Sequence, residues 1–177
     1  MAQLEAGLEE IRQSPQDKGI LKLIVRRPQG NAREVLQMGE LDLTEGLVGD
    51  TWKTRGSSRT ADGASHLDMQ LNIMNSRVAA LVAQKENRWQ LAGDQLFIDL
   101  DLSYENLPTG TRLAIGAAVI EVTAQPHNGC KKFVERFGLD AMEFVNSPLG
   151  KQLHLRGINA KVIQACEIRT SDLVKKI

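Results

Sequence analysis

The chain has 177 residues, of which 42% are hydrophobic and 25% are charged, and this composition is typical of one globular unit with a substantial core. Its 22 basic and 22 acidic residues cancel. This balance excludes a global field that would attract nucleic acid or an anionic membrane, so any anion recognition must be local. Two cysteines, Cys130 and Cys166, are too few for a disulfide framework and form no Cys-x-x-Cys pair.

We expect no targeting signal at the N-terminus or in any apolar run. The opening "MAQLEAGLEE" is acidic and amphipathic, without the basic and apolar regions of a signal peptide. The longest apolar run, "LAIGAAVI", is far shorter than the roughly 18 residues that suggest a membrane span. We therefore expect a reducing cytoplasm, in which Cys130 stays a thiol, and no membrane or nucleic-acid partner.

The first part of the chain predicts a short helix followed by strands and a long loop. The helix is expected over residues 3–13 and ends before Pro15. "ILKLIVRR" alternates apolar and basic residues as a strand does, and "REVLQMGELDL" is its expected partner. "TEGLVGDTWKTRGSSRTADG" is rich in Gly, Ser and Thr and predicts a long loop, which in a compact domain is usually functional or disordered.

The rest of the chain predicts mostly short strands. "LDMQLNIMN" is a strand, and "SRVAALVAQKE" is a helix that Ser76 is expected to cap. Further strands are expected in "GDQLFIDLDLS", "TRLAIG", "AVIEVTA", "INAKVIQA" and "EIRTSDLVKK", and Gly138 divides two short helices. About seven short strands with few helices predict a mainly β fold, a barrel or strongly bent mixed sheet. We expect one domain over 1–177.

The stretch "TAQPHNGCKKFVERFG" holds the residue of greatest chemical interest, Cys130. If Asn128 caps the helix, Cys130 falls in its first turn, where free N–H groups and the helix dipole favour negative charge. Lys131 and Lys132 add two cations. Such a setting lowers the pKa of a cysteine from about 8.5 by one or more units and makes the sulfur a nucleophile or a soft metal ligand. The alternative is a cysteine that merely lies in a surface helix.

Two other readings of this cysteine have weaker support. His127 with Cys130 starts a zinc site only if His66, His154 or Cys166 completes it, and their spacing is not recognisable as a zinc motif. A Cys–His nucleophilic pair of these two residues requires an unusual turn geometry. Cys166 is predicted to pack.

A second group of cations lies in the long loop. Lys53, Arg55 and Arg59 alternate with glycine and hydroxyl residues, a composition that suits either a phosphate-binding loop or a mobile solvated one. Arg156, next to a glycine in "LRGINA", is predicted either to clamp an anion or to form a surface ion pair.

The segments "LTEGLVGDTW", "LAGDQLFIDLDLSYENLPTGTRLAIGAAVIEVTAQPHNGCKKF" and "LRGINAKVI", in that order, resemble the MOSC domain, named after the C-terminal part of molybdenum-cofactor sulfurases. The resemblance extends over about 20–174 and is to the short stand-alone bacterial members. It implies a MOSC β-barrel whose core covers that range, with the single family cysteine matched by Cys130.

The resemblance implies a protein that binds the pyranopterin molybdenum cofactor (molybdopterin) through the cysteine and, as in the members with known activity, a molybdenum-dependent oxidoreductase. Such members reduce N-hydroxylated compounds with electrons from a redox partner protein. Other roles considered for the family are a persulfide sulfur carrier supplied by a desulfurase and a non-catalytic module for cofactor insertion. Unlike the larger members, this protein is expected to have neither an additional N-terminal barrel nor a Cys-rich ferredoxin segment.

The resemblance and the residues together give a predicted site. Cys130 is the expected metal ligand and catalytic residue. The cofactor phosphate is expected to be neutralised by Lys131, Lys132 and Arg156, with Arg55 and Arg59. Asp50 and Asn106 are expected either to hold the pterin edges or to fix loops.

Overall fold

Seven strands of this protein close into a mixed β-barrel. The computed structural model describes all 177 residues. Its strands are β1 (Lys18–Arg26), β2 (Glu34–Leu36), β3 (Met38–Asp42), β4 (Gly46–Leu47), β5 (Leu71–Asn75), β6 (Leu96–Asp99), β7 (Arg112–Ile115), β8 (Ala118–Val122), β9 (Ile158–Gln164), β10 (Cys166–Arg169) and β11 (Leu173–Lys176). The helices are α1 (Ala2–Ala6), α2 (Leu8–Arg12), α3 (Trp52–Arg55), α4 (Ser76–Ala83), α5 (Lys131–Phe137), α6 (Leu139–Asn146) and α7 (Pro148–Gln152), with 3₁₀ turns at Leu67–Met69 and Glu86–Ala92.

The barrel follows the strand order β11-β7-β8-β9-β5-β6-β1 and closes by pairing of β1 with β11, where Ile20 lies opposite Leu173. All neighbouring strands of the barrel are antiparallel except β5 and β6. The strand β2 extends the sheet beyond β1, and β10, β3 and β4 form a small separate sheet. The expected mainly β, barrel-like fold is therefore confirmed.

Aliphatic side chains fill the interior of the barrel. Successive side chains of a strand point to opposite faces, so β6 sends Leu96 and Ile98 into the barrel and Phe97 outward. The interior cluster holds 21 buried residues, all Leu, Ile, Val or Ala. Each Leu, Ile or Val side chain contributes roughly 1.5–3 kcal/mol when fully buried, and this packing fixes the register of the barrel strands.

A second core lies between the outer face of the barrel and the helices. Outward residues of the barrel, Val25, Met74 and Phe97, share a cluster of 13 buried residues with the apolar faces of α4, α5 and α6. Phe133 is 2% exposed and attaches α5 to this core. The segment before α5, which carries Cys130, is thereby held against one side of the barrel.

Several local predictions differ from the structure. The helix α4 is capped by Asn75, whose Oδ1 accepts from two backbone N–H groups of the first turn, and not by Ser76. The predicted long loop contains β4 and the short helix α3, since Trp52 is buried and attaches that segment to the barrel. The predicted N-terminal helix is two short helices with Gly7 between them. The pattern also did not predict α7 or the two 3₁₀ turns.

The longest α-helices, α4 and α6, have eight residues each, and no helix is long and apolar enough to cross a membrane.

Candidate functional site

Cys130 lies at a cationic cavity of about 510 Å³ on the helical side of the barrel. We call it the cysteine cavity. The end of β1, the segment around α3, the turn before β6 and α5 all contribute to its lining. Residues far apart in the chain therefore meet here because the barrel brings these connections to the same side.

The position of Cys130 follows from contacts of the residues around it. The preceding Gly129 donates its N–H to Asn146 Oδ1 (2.8 Å) and accepts at its carbonyl from Asn146 Nδ2 (3.1 Å). The Cys130 carbonyl accepts from the N–H groups of Phe133 and Val134, so α5 begins directly after the cysteine. The prediction that Asn128 is the N-cap is wrong: Cys130 itself is the N-cap residue, outside the first turn, and it is exposed.

Six cationic side chains line the cysteine cavity. Two of them, Arg27 and Arg156, are buried and paired with carboxylates. The other four form no ion pair within the protein and are Arg33, Arg55, Lys132 and Arg136. No aspartate or glutamate lines the cavity. Its lining therefore carries excess positive charge, which favours an anion.

The first buried pair holds the β1 end of the cavity. Arg27 donates Nε to Asp50 Oδ2 and Nη2 to Asp50 Oδ1, both at 2.8 Å, in a bidentate arrangement. Its Nη1 donates to Asn72 Oδ1 (2.9 Å) and to the Gly93 carbonyl (2.8 Å). Because all its acceptors lie within the protein, this arginine is fixed in position.

The second buried pair is a three-residue network centred on Asp94. Its carboxylate is completely buried and accepts from Arg156 Nη1 and from His127 Nε2, both at 2.7 Å. Burial alone would raise the pKa of Asp94, but attraction to Arg156 and His127 and their hydrogen bonds outweigh it and lower the pKa to about 2. Burial, followed by repulsion from Arg156, lowers the pKa of His127. Asp94 is thus a carboxylate and His127 is neutral at pH 7.

The pKa values of two of the four unpaired cations show that clustering these positive charges is unfavourable. Burial, followed by repulsion from Arg136 and Arg27, lowers the pKa of Arg33. Burial and then repulsion from Arg27 lower the pKa of Arg55. In addition, Arg33 Nε and Arg156 Nε are buried without a hydrogen-bond partner. A bound anion would relieve the repulsion, and buried donors of this kind usually find a partner.

The structure brings only some of the predicted site residues to the cavity. Cys130, Lys132, Arg55 and Arg156 line it together. Asp50 lies behind it and holds Arg27 and the Trp52 N–H.

The remaining predicted residues lie outside the lining of the cysteine cavity. Lys131 is exposed. Arg59 donates to Gln125 Oε1, and Lys53 pairs with Glu45. Asn106 joins loops by donating to the carbonyls of Gln16 and Asp101.

Sequence reasoning missed several residues that line or support this cavity: Arg27, Arg33, Asp94, Arg136 and the contribution of His127. One signal was present, since Arg136 lies four residues after Lys132 and hence on the same helix face. The others come from separate loops, whose proximity depends on the strand order of the barrel.

A second cavity of about 350 Å³ lies beside the first, and His127 and Arg156 are the two residues that line both. Its other polar side chains include Tyr104, Lys151 and His154. His154 Nδ1 is 2.7 Å from the Leu102 carbonyl, so that nitrogen donates a hydrogen bond to it.

No three His, Cys, Asp or Glu side chains cluster in a way that would hold a metal ion. Any metal bound at Cys130 would therefore take most of its ligands from a cofactor or from solvent.

The closed mixed barrel with short outer helices has a MOSC-like fold. The chain is similar in structure to the YuaD protein from Bacillus subtilis, with a TM-score of 0.67 and 15% identity over 90% of this chain and 95% of the other. It is also similar to YiiM from Escherichia coli, with a TM-score of 0.56 and 17% identity over 89% of this chain and 69% of the other. YiiM from Geobacillus stearothermophilus gives a TM-score of 0.56 and 13% identity, covering 93% and 74%.

At such low identities these likenesses show the fold alone. No protein-family model matches the chain, and no curated protein matches its sequence.

Proposed function

We propose that this protein binds the pyranopterin molybdenum cofactor in the cysteine cavity, with Cys130 as the protein ligand of the metal. The observation that carries the proposal is that an exposed thiol and four cations without carboxylate partners line the same cavity of about 510 Å³. A thiolate is a soft ligand that can bind the molybdenum, and clustered arginines bind phosphate groups.

The residues present fit such a group. A protein that offers one thiol and no group of three ligating side chains needs a cofactor that brings its own sulfur ligands. Arg33, Arg55, Lys132 and Arg136 would neutralise the phosphate, and Arg27 and Arg156 are held in place behind them by Asp50 and Asp94. When bound, the cofactor would supply two-electron redox chemistry. The proposed activity is reduction of N-hydroxylated compounds with electrons from a separate redox protein.

Metal analysis of protein from a molybdenum-replete host tests the binding. We expect about one molybdenum per chain in the wild type and none in Cys130→Ser. Cys166→Ser is the matched control, because Cys166 packs against the barrel core and lies away from the cavity. An unloaded wild type, under conditions in which a known molybdoenzyme loads, would refute the proposal.

The assignment of the four unpaired cations to the cofactor phosphate can be tested separately. The double variant Arg55→Gln/Arg136→Gln should load at least ten-fold less cofactor at equal cofactor supply, because two ion pairs with phosphate, each worth roughly 1.5 kcal/mol or more, are lost. Arg59→Gln is the control, since Arg59 lies four residues after Arg55, beyond the end of α3, but does not line the cavity. Equal losses in both variants would contradict the assignment.

One observation favours a second candidate, a sulfur carrier in which Cys130 holds a persulfide. The thiol is exposed and hence reachable by another protein. Incubation with a cysteine desulfurase should then add one sulfur to the intact mass of the wild type and of Cys166→Ser but not of Cys130→Ser. The third hypothesis is a cofactor-insertion module, which would bind the cofactor without steady-state turnover.

A further inference from the structure

His127 is held by a buried carboxylate in one defined tautomer. Its Nε2 is 2.7 Å from Asp94 Oδ1, and Asp94 is ionised through its contact with Arg156. An ionised carboxylate only accepts hydrogen bonds, so Nε2 carries the proton and donates it. The neutral ring therefore presents an unprotonated Nδ1.

That second nitrogen is open to solvent. Nδ1 forms no hydrogen bond within the protein, and it is not among the buried polar atoms that lack a partner. The His127 side chain is 14% exposed and lines both cavities. A base fixed on one side and open on the other has the geometry of a proton-transfer residue.

The surroundings of His127 determine when it holds a proton. The carboxylate of Asp94 favours the protonated ring of His127, whereas the cations Arg156 and Arg27 disfavour it. Lys132, Arg136, Arg33 and Arg55 face the same cavity together with Cys130, whereas Lys151, His154 and Tyr104 face the second cavity. Burial and Arg156 lower the pKa of His127, so its imidazolium gives up a proton readily once formed.

No other side chain of the cysteine cavity is suited to this role. Its titratable residues besides His127 are five arginines, Lys132 and Cys130. Arginine stays charged, and the proposed function assigns the thiol to the metal. Histidine is the side chain whose ordinary pKa lies near neutrality.

Resting on the proposed function, we propose that His127 is the residue that donates a proton to the substrate in the cysteine cavity, with Asp94 as its positioning residue. Cleavage of an N–O bond to an amine and water consumes two electrons and two protons. The Nδ1–H bond of the imidazolium breaks as an O–H bond of the departing water forms. Solvent supplies the second proton and reprotonates the ring, and the reduced redox protein supplies both electrons.

The tautomer is tested first, in the protein without cofactor. ¹⁵N spectra of histidine-labelled protein contain three residues, His66, His127 and His154, which single His→Gln variants assign. We expect His127 at neutral pH to show a protonated Nε2 and an unprotonated Nδ1, and Asp94→Asn to shift the ring toward the Nδ1–H form. A wild-type ring that is already protonated at Nδ1 would overturn the proposal.

The proton transfer is tested in the loaded enzyme, with benzamidoxime as substrate and reduced methyl viologen as electron donor. His127→Gln should keep the molybdenum content of the wild type and lose about 100-fold in kcat, the lower range for general acid–base catalysis. The fall in wild-type kcat as pH rises through the pKa of His127 should disappear in the variant. His154→Gln, which changes a histidine of the second cavity only, should keep that pH profile.

The outcomes separate the two proposals. A fully loaded His127→Gln that retains the rate and the pH profile removes the role of His127 and leaves cofactor binding intact. A wild type that contains no molybdenum refutes both. Circular dichroism and the denaturation midpoint of His127→Gln check its fold, and Asp94→Asn gives a second variant with the spectroscopic readout described above.

Discussion

At the scale of single residues, the site depends on charges that are buried in pairs. Arg27 and Arg156, 5% and 6% exposed, are each matched by one carboxylate, Asp50 and Asp94. Removing one partner of such a pair costs several kcal/mol because the other charge stays buried without compensation. These pairs hold their arginines in place, whereas the four unpaired cations in front of them are free to meet a ligand.

The Asp94–His127 contact predicts how stability depends on pH. The pKa of His127 is lowered in the folded state, so below pH 6.5 the unfolded chain binds a proton first and the free energy of unfolding falls. The pKa of Asp94 is lowered from 3.8 to about 2, so a further loss of about 2 kcal/mol follows as pH falls between these two values. Urea unfolding of the wild type from pH 7.5 to 2 measures both stages.

The variant His127→Gln tests whether His127 causes the loss of stability below pH 6.5. The stability difference between wild type and variant should shrink as the pH falls from about 7 to 5, because only the wild type loses this histidine contribution. His154→Gln controls for loss of a histidine elsewhere. A difference that stays constant with pH would show that His127 titrates equally in the folded and unfolded chains.

At the scale of elements, α4 is attached to the barrel through its cap. Asn75 ends β5 and caps α4, with its Oδ1 accepting from the N–H groups of Arg77 (2.7 Å) and Val78 (3.4 Å). Its Nδ2 donates to Ser14 Oγ (2.9 Å) and to the Leu100 carbonyl (2.8 Å). One amide thus joins a strand, a helix and two other segments.

Asn75→Ala should therefore cost more than the loss of a cap alone. A cap is worth roughly 0.5–2 kcal/mol, and a buried acceptor left without a donor costs roughly 1–3 kcal/mol more, so we expect about 3 kcal/mol in the free energy of unfolding. Ser76→Ala, at the position that the sequence pattern favoured, should cost less than about 1 kcal/mol. Denaturant titration measures both variants, and equal losses would contradict the assignment of the cap to Asn75.

At the scale of the whole molecule, the barrel closes at a narrow seam. In β1, Gly19 lies opposite Val174 of β11, and β6 lies on the other side. A Cβ at Gly19 would lie 2.1 Å from the Asp99 carbonyl oxygen, a backbone atom. Three backbones meet here at a separation that leaves no space for a side chain.

Gly19→Ala should therefore strain the closure. We expect a loss of about 3 kcal/mol in the free energy of unfolding, at the upper end for overpacking because the clash is with backbone. Backbone amides of β11 and β6 should also exchange faster with deuterated water. Gly30→Ala is the matched control, since its added Cβ meets nothing within 4 Å. Equal stability of the two variants would show that the seam adjusts without strain.

Much of the fold could be predicted because strand patterns are local. Alternation in "ILKLIVRR" and "AVIEVTA" identifies β1 and β8, and an aliphatic interior follows from such patterns. Gly138 correctly divided α5 from α6. The caps of α4 and α5 were predicted wrongly because Asn75 and Cys130 take their positions from contacts with distant segments.

The sequence alone is enough to assign the mainly β class, the positions of most strands, and a cysteine two residues before Lys132. The folded chain was needed to show that four arginines meet around that cysteine and that Asp94 holds His127. These arginines are Arg27, Arg33, Arg136 and Arg156. Periodicity reports which face of an element is buried, whereas contacts between distant loops depend on strand order and register. Those are set by the closing of the barrel as a whole.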